Sequence, residues 1–123
     1  MTAAVRIQSK GKNVWFEGLP DELADAARDY PLAETSDWNE LAELSNKTIF
    51  DGMDAYGDSA IVENGNNIAP GRVHVKLSFI DTGDEQFEFT ESFPARIFFN
   101  VNVDKKSVEI EKVEVDTTSF FED

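Results

Sequence analysis

Arg72-Val73-His74-Val75-Lys76-Leu77-Ser78-Phe79 alternates polar and apolar side chains without a break. That period of two marks a strand with one face buried and the other wet. The rhythm continues downstream. Phe87, Phe89 and Phe93 alternate with Gln86, Glu88 and Thr90, and after Pro94 the residues Ile97, Phe99, Val101 and Val103 alternate with Arg96, Phe98, Asn100 and Asn102. Val108 and Ile110 open a last segment, in which Val113 and Val115 fall on the opposite parity, so a bulge is expected near Glu111-Lys112. Asp81-Thr82-Gly83-Asp84 and Asp104-Lys105-Lys106 carry the turn chemistry between segments. Residues 72–115 therefore read as a four-stranded antiparallel meander with one apolar face to cover.

The cover is expected upstream. Residues 4–9 and 13–17 alternate around Lys10-Gly11-Lys12, an N-terminal β-hairpin over residues 1–18 in which Val5, Ile7, Val14 and Phe16 share a face and Trp15 takes the other. Gly18-Leu19-Pro20-Asp21-Glu22 opens a helix, with proline in the first turn and acids at the positive end of the dipole. Leu23, Ala26, Ala27 and Tyr30 make its apolar stripe, and Pro31 stops it. Asp37-x-x-Glu40 resembles a capping box, so a second helix is expected to run to about Phe50, burying Trp38, Leu41, Ala42 and Leu44. Residues 51–71 read as a loop region with one short strand near Ser59–Glu63, and residues 116–123 as a tail. The resulting fold class is α+β: a two-layer sandwich of hairpin and two helices on the meander, in one domain of 123 residues.

Composition narrows the chemistry. The chain has no cysteine, which removes disulfide scaffolds, thiolate metal sites and cysteine nucleophiles. No apolar run reaches membrane-spanning length and no secretion-type leader opens the sequence, so a cytoplasmic protein is expected, without membrane contact. The net charge is −14, from 25 acids against 11 bases. Such a field repels nucleic acid and attracts basic proteins. It is uneven: residues 17–43 hold nine acids against Arg28 alone, and Asp81 to Glu91 holds five with no base. Asp21, Asp25 and Asp29, flanked by Glu22, recur one helical turn apart, roughly 6 Å along the axis. Asp37, Glu40 and Glu43 form a second expected row, with Asp84, Glu85 and Glu88 as a further patch. Two such rows imitate a phosphate backbone or complement the basic face of a nuclease. The plainer reading is a solvated face kept soluble by charge, as in proteins from high-salt habitats.

Other constellations are weaker. Ser78-Phe79-Ile80-Asp81-Thr82-Gly83 resembles the active-site triplet of aspartic proteases, whose retroviral members are homodimers of similar size. The resemblance implies Asp81 as the catalytic residue, sharing one proton with its copy across a dimer axis. The apolar-apolar-glycine segment that buttresses that loop in the family has no counterpart after Asp81, and Asp and Gly are ordinary turn residues between two strands. Asp51, Asp54 and Asp58 lack the ladder spacing of a calcium loop. His74, the one histidine, lies on the polar side of its strand. The sequence thus points to a non-enzymatic inhibitor without cofactor or metal, which neutralises a basic nuclease or nucleic-acid-binding complex as an immunity or anti-defence protein would. Direct nucleic-acid contact is not expected.

Overall fold

The computed structural model describes residues 4–45, 47–80, 83 and 85–118. In chain order these form β1 (Ala4–Ser9), β2 (Lys12–Glu17), α1 (Leu19–Asp29), a one-turn α2 (Asn39–Ala42), β3 (Lys47–Ala55), β4 (Ile61–Glu63), β5 (Asn66–Ile80), β6 (Gln86–Asn102) and β7 (Ser107–Val115), with 3-10 turns at Leu32–Glu34, Ser36–Trp38 and Gly57–Ser59. The expected class holds: helices and an N-terminal hairpin lie on a predominantly antiparallel sheet. The sheet runs β3-β5-β6-β7, with β4 also paired to β5. The hairpin β1-β2 is a sheet of its own. Its turn places Lys10 and Gly11 at φ 52° and 79°, the left-handed pair that a two-residue hairpin demands.

One face of the main sheet is the core face. Met53, Ala69, Val73, Val75, Leu77, Phe93, Ile97, Phe99, Ile110 and Val113 are buried there, beneath Ile7 and Phe16 of the hairpin, Leu19, Leu23 and Ala27 of α1, and Leu32, Leu41 and Leu44 of the following turns. The β6-β7 register skips one residue between Phe98↔Lys112 and Phe99↔Ile110, which leaves Glu111 as the expected bulge and turns both Ile110 and Val113 inward. The opposite face is wet and charge-laced: Arg96 meets Glu63 at 3.0 Å and Glu114 at 3.6 Å, and Lys112 lies over the Phe98 ring at 4.5 Å.

Several expected boundaries are corrected. Residues 37–50 are not one helix. A 3-10 turn and the single turn of α2 carry Trp38 and Leu41 inward but leave Ala42 exposed, and Lys47 to Phe50 belong to β3. Thr48, Ile49 and Phe50 are β-branched or aromatic, and they gain a sheet partner in Leu77, Lys76 and Val75 that a solitary helix would not supply. Residues 51–71 are not a loop: they finish β3, form β4 and supply the first six of the 15 residues of β5. The two strands expected either side of Pro94 are one strand, β6, so the four strands of the path are β3, β5, β6 and β7, of which β6, β7 and the greater part of β5 come from residues 72–115. Asp81, Thr82, Asp84 and most of the expected tail lie outside the described residues.

Both strand prolines sit where a neighbour ends. The Pro94 carbonyl accepts from the Asp116 N–H at 2.9 Å, just beyond the last β6-β7 pair. The Pro70 carbonyl accepts from the Tyr56 N–H at 2.9 Å, in the gap where β5 exchanges β3 for β4. In each case the ring nitrogen faces that same gap, and no ladder donor is lost. Beside Pro70, Gly71 lies under the Asp54 carbonyl and against the Ile97 side chain, closely enough that a β-carbon would overlap both.

Candidate functional site

Of the ten acids that the sequence singled out, nine lie among the described residues, spread over α1, the turns that follow it and the beginning of β6. Asp21, Glu22, Asp25 and Asp29 are exposed on α1, whose inner side is Leu19, Leu23 and Ala27. Within this group Asp25 accepts from Arg28 at 2.7 Å. The second row has no single helix to stand on: Asp37 lies in a 3-10 turn, Glu40 in α2 and Glu43 just after it. Asp37 Oδ2 accepts from the Val113 N–H at 3.0 Å, and Glu40 Oε1 accepts from the Thr117 hydroxyl at 2.7 Å. These two carboxylates fasten the turns after α1 to β7 and to the residues beyond it. Their spacing reads as an acidic stripe, yet it serves the fold. Glu43 is exposed, Glu85 and Glu88 stand at the start of β6, and Asp84 and Asp81 fall outside the described residues.

A polar row that the sequence reading passed over crosses the wet face of the sheet. His74 on β5 stands directly across from Ser92 on β6. Its Nδ1 lies 2.6 Å from Ser92 Oγ and its Nε2 lies 2.8 Å from Asp54 Oδ2 on β3. A carboxylate can only accept, so the neutral imidazole carries its proton on Nε2, toward Asp54, and Nδ1 accepts from the Ser92 hydroxyl. That order, carboxylate to imidazole to hydroxyl, is the one by which an imidazole activates a nucleophile, although the whole row is solvent-accessible. It borders a groove of about 420 Å³ lined by Ala24 and Arg28 of α1, residues 51–56 and His74. The register of β3 shifts between Phe50 and Gly52 along that lining, with Gly52 at φ 127°. The period-two pattern of residues 72–79 puts His74 on the wet face. Its partners come from residues 54 and 92, whose pairing no local pattern encodes.

Asp51 and Asp54 belong to β3 and Asp58 to a 3-10 turn, so they do not share a loop. Among the described residues no group of three or more His, Asp or Glu side chains is placed to hold a metal ion. No described helix is long and apolar enough to cross a membrane.

Fold and surface together define a small acidic α+β domain, with a hairpin-and-helix layer on one side of a five-stranded sheet and an open charged face on the other. A family described as "Predicted pPIWI-associating nuclease" matches residues 16–121, which is most of the chain. The chain belongs to that family, and it is in this sense a nuclease-associated protein. No curated protein and no solved structure matches it.

Proposed function

We propose that this chain is a non-enzymatic regulator that binds a basic, nucleic-acid-handling partner, a nuclease above all, and restrains it in the manner of an immunity or anti-defence protein. The observation that carries the reading is α1: an 11-residue helix with Asp21, Glu22, Asp25 and Asp29 all outward and Arg28 as its one base. Like charges at these spacings weaken an isolated helix by a few tenths of a kcal/mol per pair, a cost that binding to a positive surface would offset. Membership of a family described as "Predicted pPIWI-associating nuclease" supports a nuclease-type partner. The test is co-purification from a lysate and inhibition of the recovered nuclease, at low and high salt. The variant Asp21→Asn, Glu22→Gln, Asp25→Asn, Asp29→Asn should lose most of the association rate. Unchanged binding in that variant, or binding indifferent to salt, contradicts the proposal.

A second reading rests on the Asp54-His74-Ser92 row together with the word nuclease in the family's description. In it the groove beside β3 is a hydrolytic site, with His74 as base. Cleavage of single-stranded or duplex substrate by the purified chain, lost in His74→Gln, would favour it. Cleavage retained in His74→Gln removes it.

A further inference from the structure

The geometry points to a binding site for single-stranded nucleic acid at the end of the molecule where the β1-β2 turn meets the β6-β7 turn. The Ser9 hydroxyl donates to the Val101 carbonyl at 3.5 Å, tying the hairpin tip to the end of β6. Two hollows adjoin there. One, of about 270 Å³, is lined by Lys10, Lys12, Val14, Asn102 and Asp104 among others; the second, of about 170 Å³, is lined by Trp15, Phe16, Glu17 and Lys106. Val103 lines both, so the two hollows are neighbours.

Lysines line both hollows, Lys10 and Lys12 the first and Lys106 the second, and the indole of Trp15 lines the second. Trp15 is 67% exposed, the most exposed large apolar side chain of the described residues, and Arg6 is its cross-strand partner. Lys105 lies on the adjoining side of the β6-β7 turn, in a hollow that also holds Asn100 and Glu109. Five of the 11 basic residues thus gather here, facing Glu17, Asp104 and Glu109 as the acids of the same hollows. Among the described residues Arg28, Arg96 and Lys112 are held in ion pairs; Arg6, Lys10, Lys12, Lys105 and Lys106 are in none of these pairs, and neither are Lys47, Arg72 and Lys76. The five at this end all stand exposed around an exposed indole.

A charged groove that tracks a sugar-phosphate chain, beside an aromatic face on which a base can stack, is the arrangement that holds a single strand. The net charge of −14 argues against such a ligand only at long range. At physiological salt the field of the distant acids decays over about 8 Å, so the local balance governs contact. The lysines of residues 10–12 and 105–106 are some ninety residues apart in sequence, which is why no linear pattern joins them. The inference is independent of the role given to α1.

Fluorescence anisotropy of the full chain with labelled oligothymidylate, oligouridylate and a mixed-sequence duplex tests it, with circular dichroism confirming that each variant folds. Single strands should bind at low salt and weaken steeply as salt rises. Trp15→Ala should lose about tenfold in affinity and Trp15→Phe much less. Lys10→Gln, Lys12→Gln and Lys106→Gln together should reduce the salt slope by about one for each phosphate contact removed. Asp21→Asn with Asp25→Asn should leave binding intact or raise it, which separates this site from the α1 surface. Preference between the two single strands identifies DNA or RNA as the ligand. No binding at low salt, equal binding of the duplex, or equal binding by Trp15→Ala overturns the proposal.

Discussion

Asn67 holds the hairpin to the main sheet with one side chain: its Oδ1 accepts from the Gln8 N–H and its Nδ2 donates to the Gln8 carbonyl, both at 2.8 Å. The amide thereby imitates a strand edge, and it is buried. Replacing Asn67 by Leu leaves one backbone donor and one acceptor of β1 without their partner, and should cost about 2 kcal/mol, read by urea denaturation. Asn67→Asp should be intermediate, since it keeps the acceptor but sets a charge against the Gln8 carbonyl. Tyr30 gives the residue scale its pH dependence. Burial, and then the charge of Asp37, push its hydroxyl above the ordinary tyrosine range, while a hydrogen bond with Thr35 opposes them. The folded state therefore holds this proton more tightly than the unfolded chain. The resulting stability is complete below the ordinary tyrosine value of about 10 and is lost as the pH rises through the higher folded value. Melting temperatures measured upward from pH 9 or so should fall less steeply in Tyr30→Phe than in the wild type.

Among the elements, β6 shows most clearly what the linear pattern could and could not convey. Its alternation was legible, as were the hairpin turn at Lys10-Gly11, the α1 stripe and the bulge at Glu111, because each follows from local period, turn chemistry or parity. Pro94 was not legible as an interior residue, since its tolerance depends on β7 ending beside it. The same is true of Pro70 and the gap between β3 and β4. Residues 47–50 have helix-compatible spacing, but a strand partner in β5 decides their state. The site was less legible still: α1's carboxylates are a helical pattern, whereas the His74 row and the Trp15 groove join segments far apart in sequence. A measurable contrast follows along β6. Phe93 lies under the helical cover and is fully buried; Phe89 is on the same face but beyond it, 46% exposed and stacked on Phe79 at 5.3 Å. Phe93→Ala should cost about 3–5 kcal/mol. Phe89→Ala should cost about 1 kcal/mol, the scale of an aromatic pair at a surface.

On the scale of the whole molecule the dominant fact is self-repulsion. With 25 acids against 11 bases and few ion pairs among the described residues, the folded chain concentrates like charge. Added sodium chloride should therefore raise the melting temperature by several degrees between dilute buffer and about 1 M, where the Debye length contracts to about 3 Å. A flat salt response would mean that opposite charges compensate locally after all.

Beyond the last β6-β7 pair, residues 86–92 have no strand beside them on the side away from β5 among the described residues, and Phe87 and Phe89 lie half-exposed along that margin. A bare ribbon of this kind invites other chains to add themselves, rung upon rung. Glu85, Glu88 and Glu91 stand along it as like charges that hold such chains apart. Glu88→Gln with Glu91→Gln should thus bring on turbidity with growth of cross-β signal in concentrated solution, where the wild type stays clear.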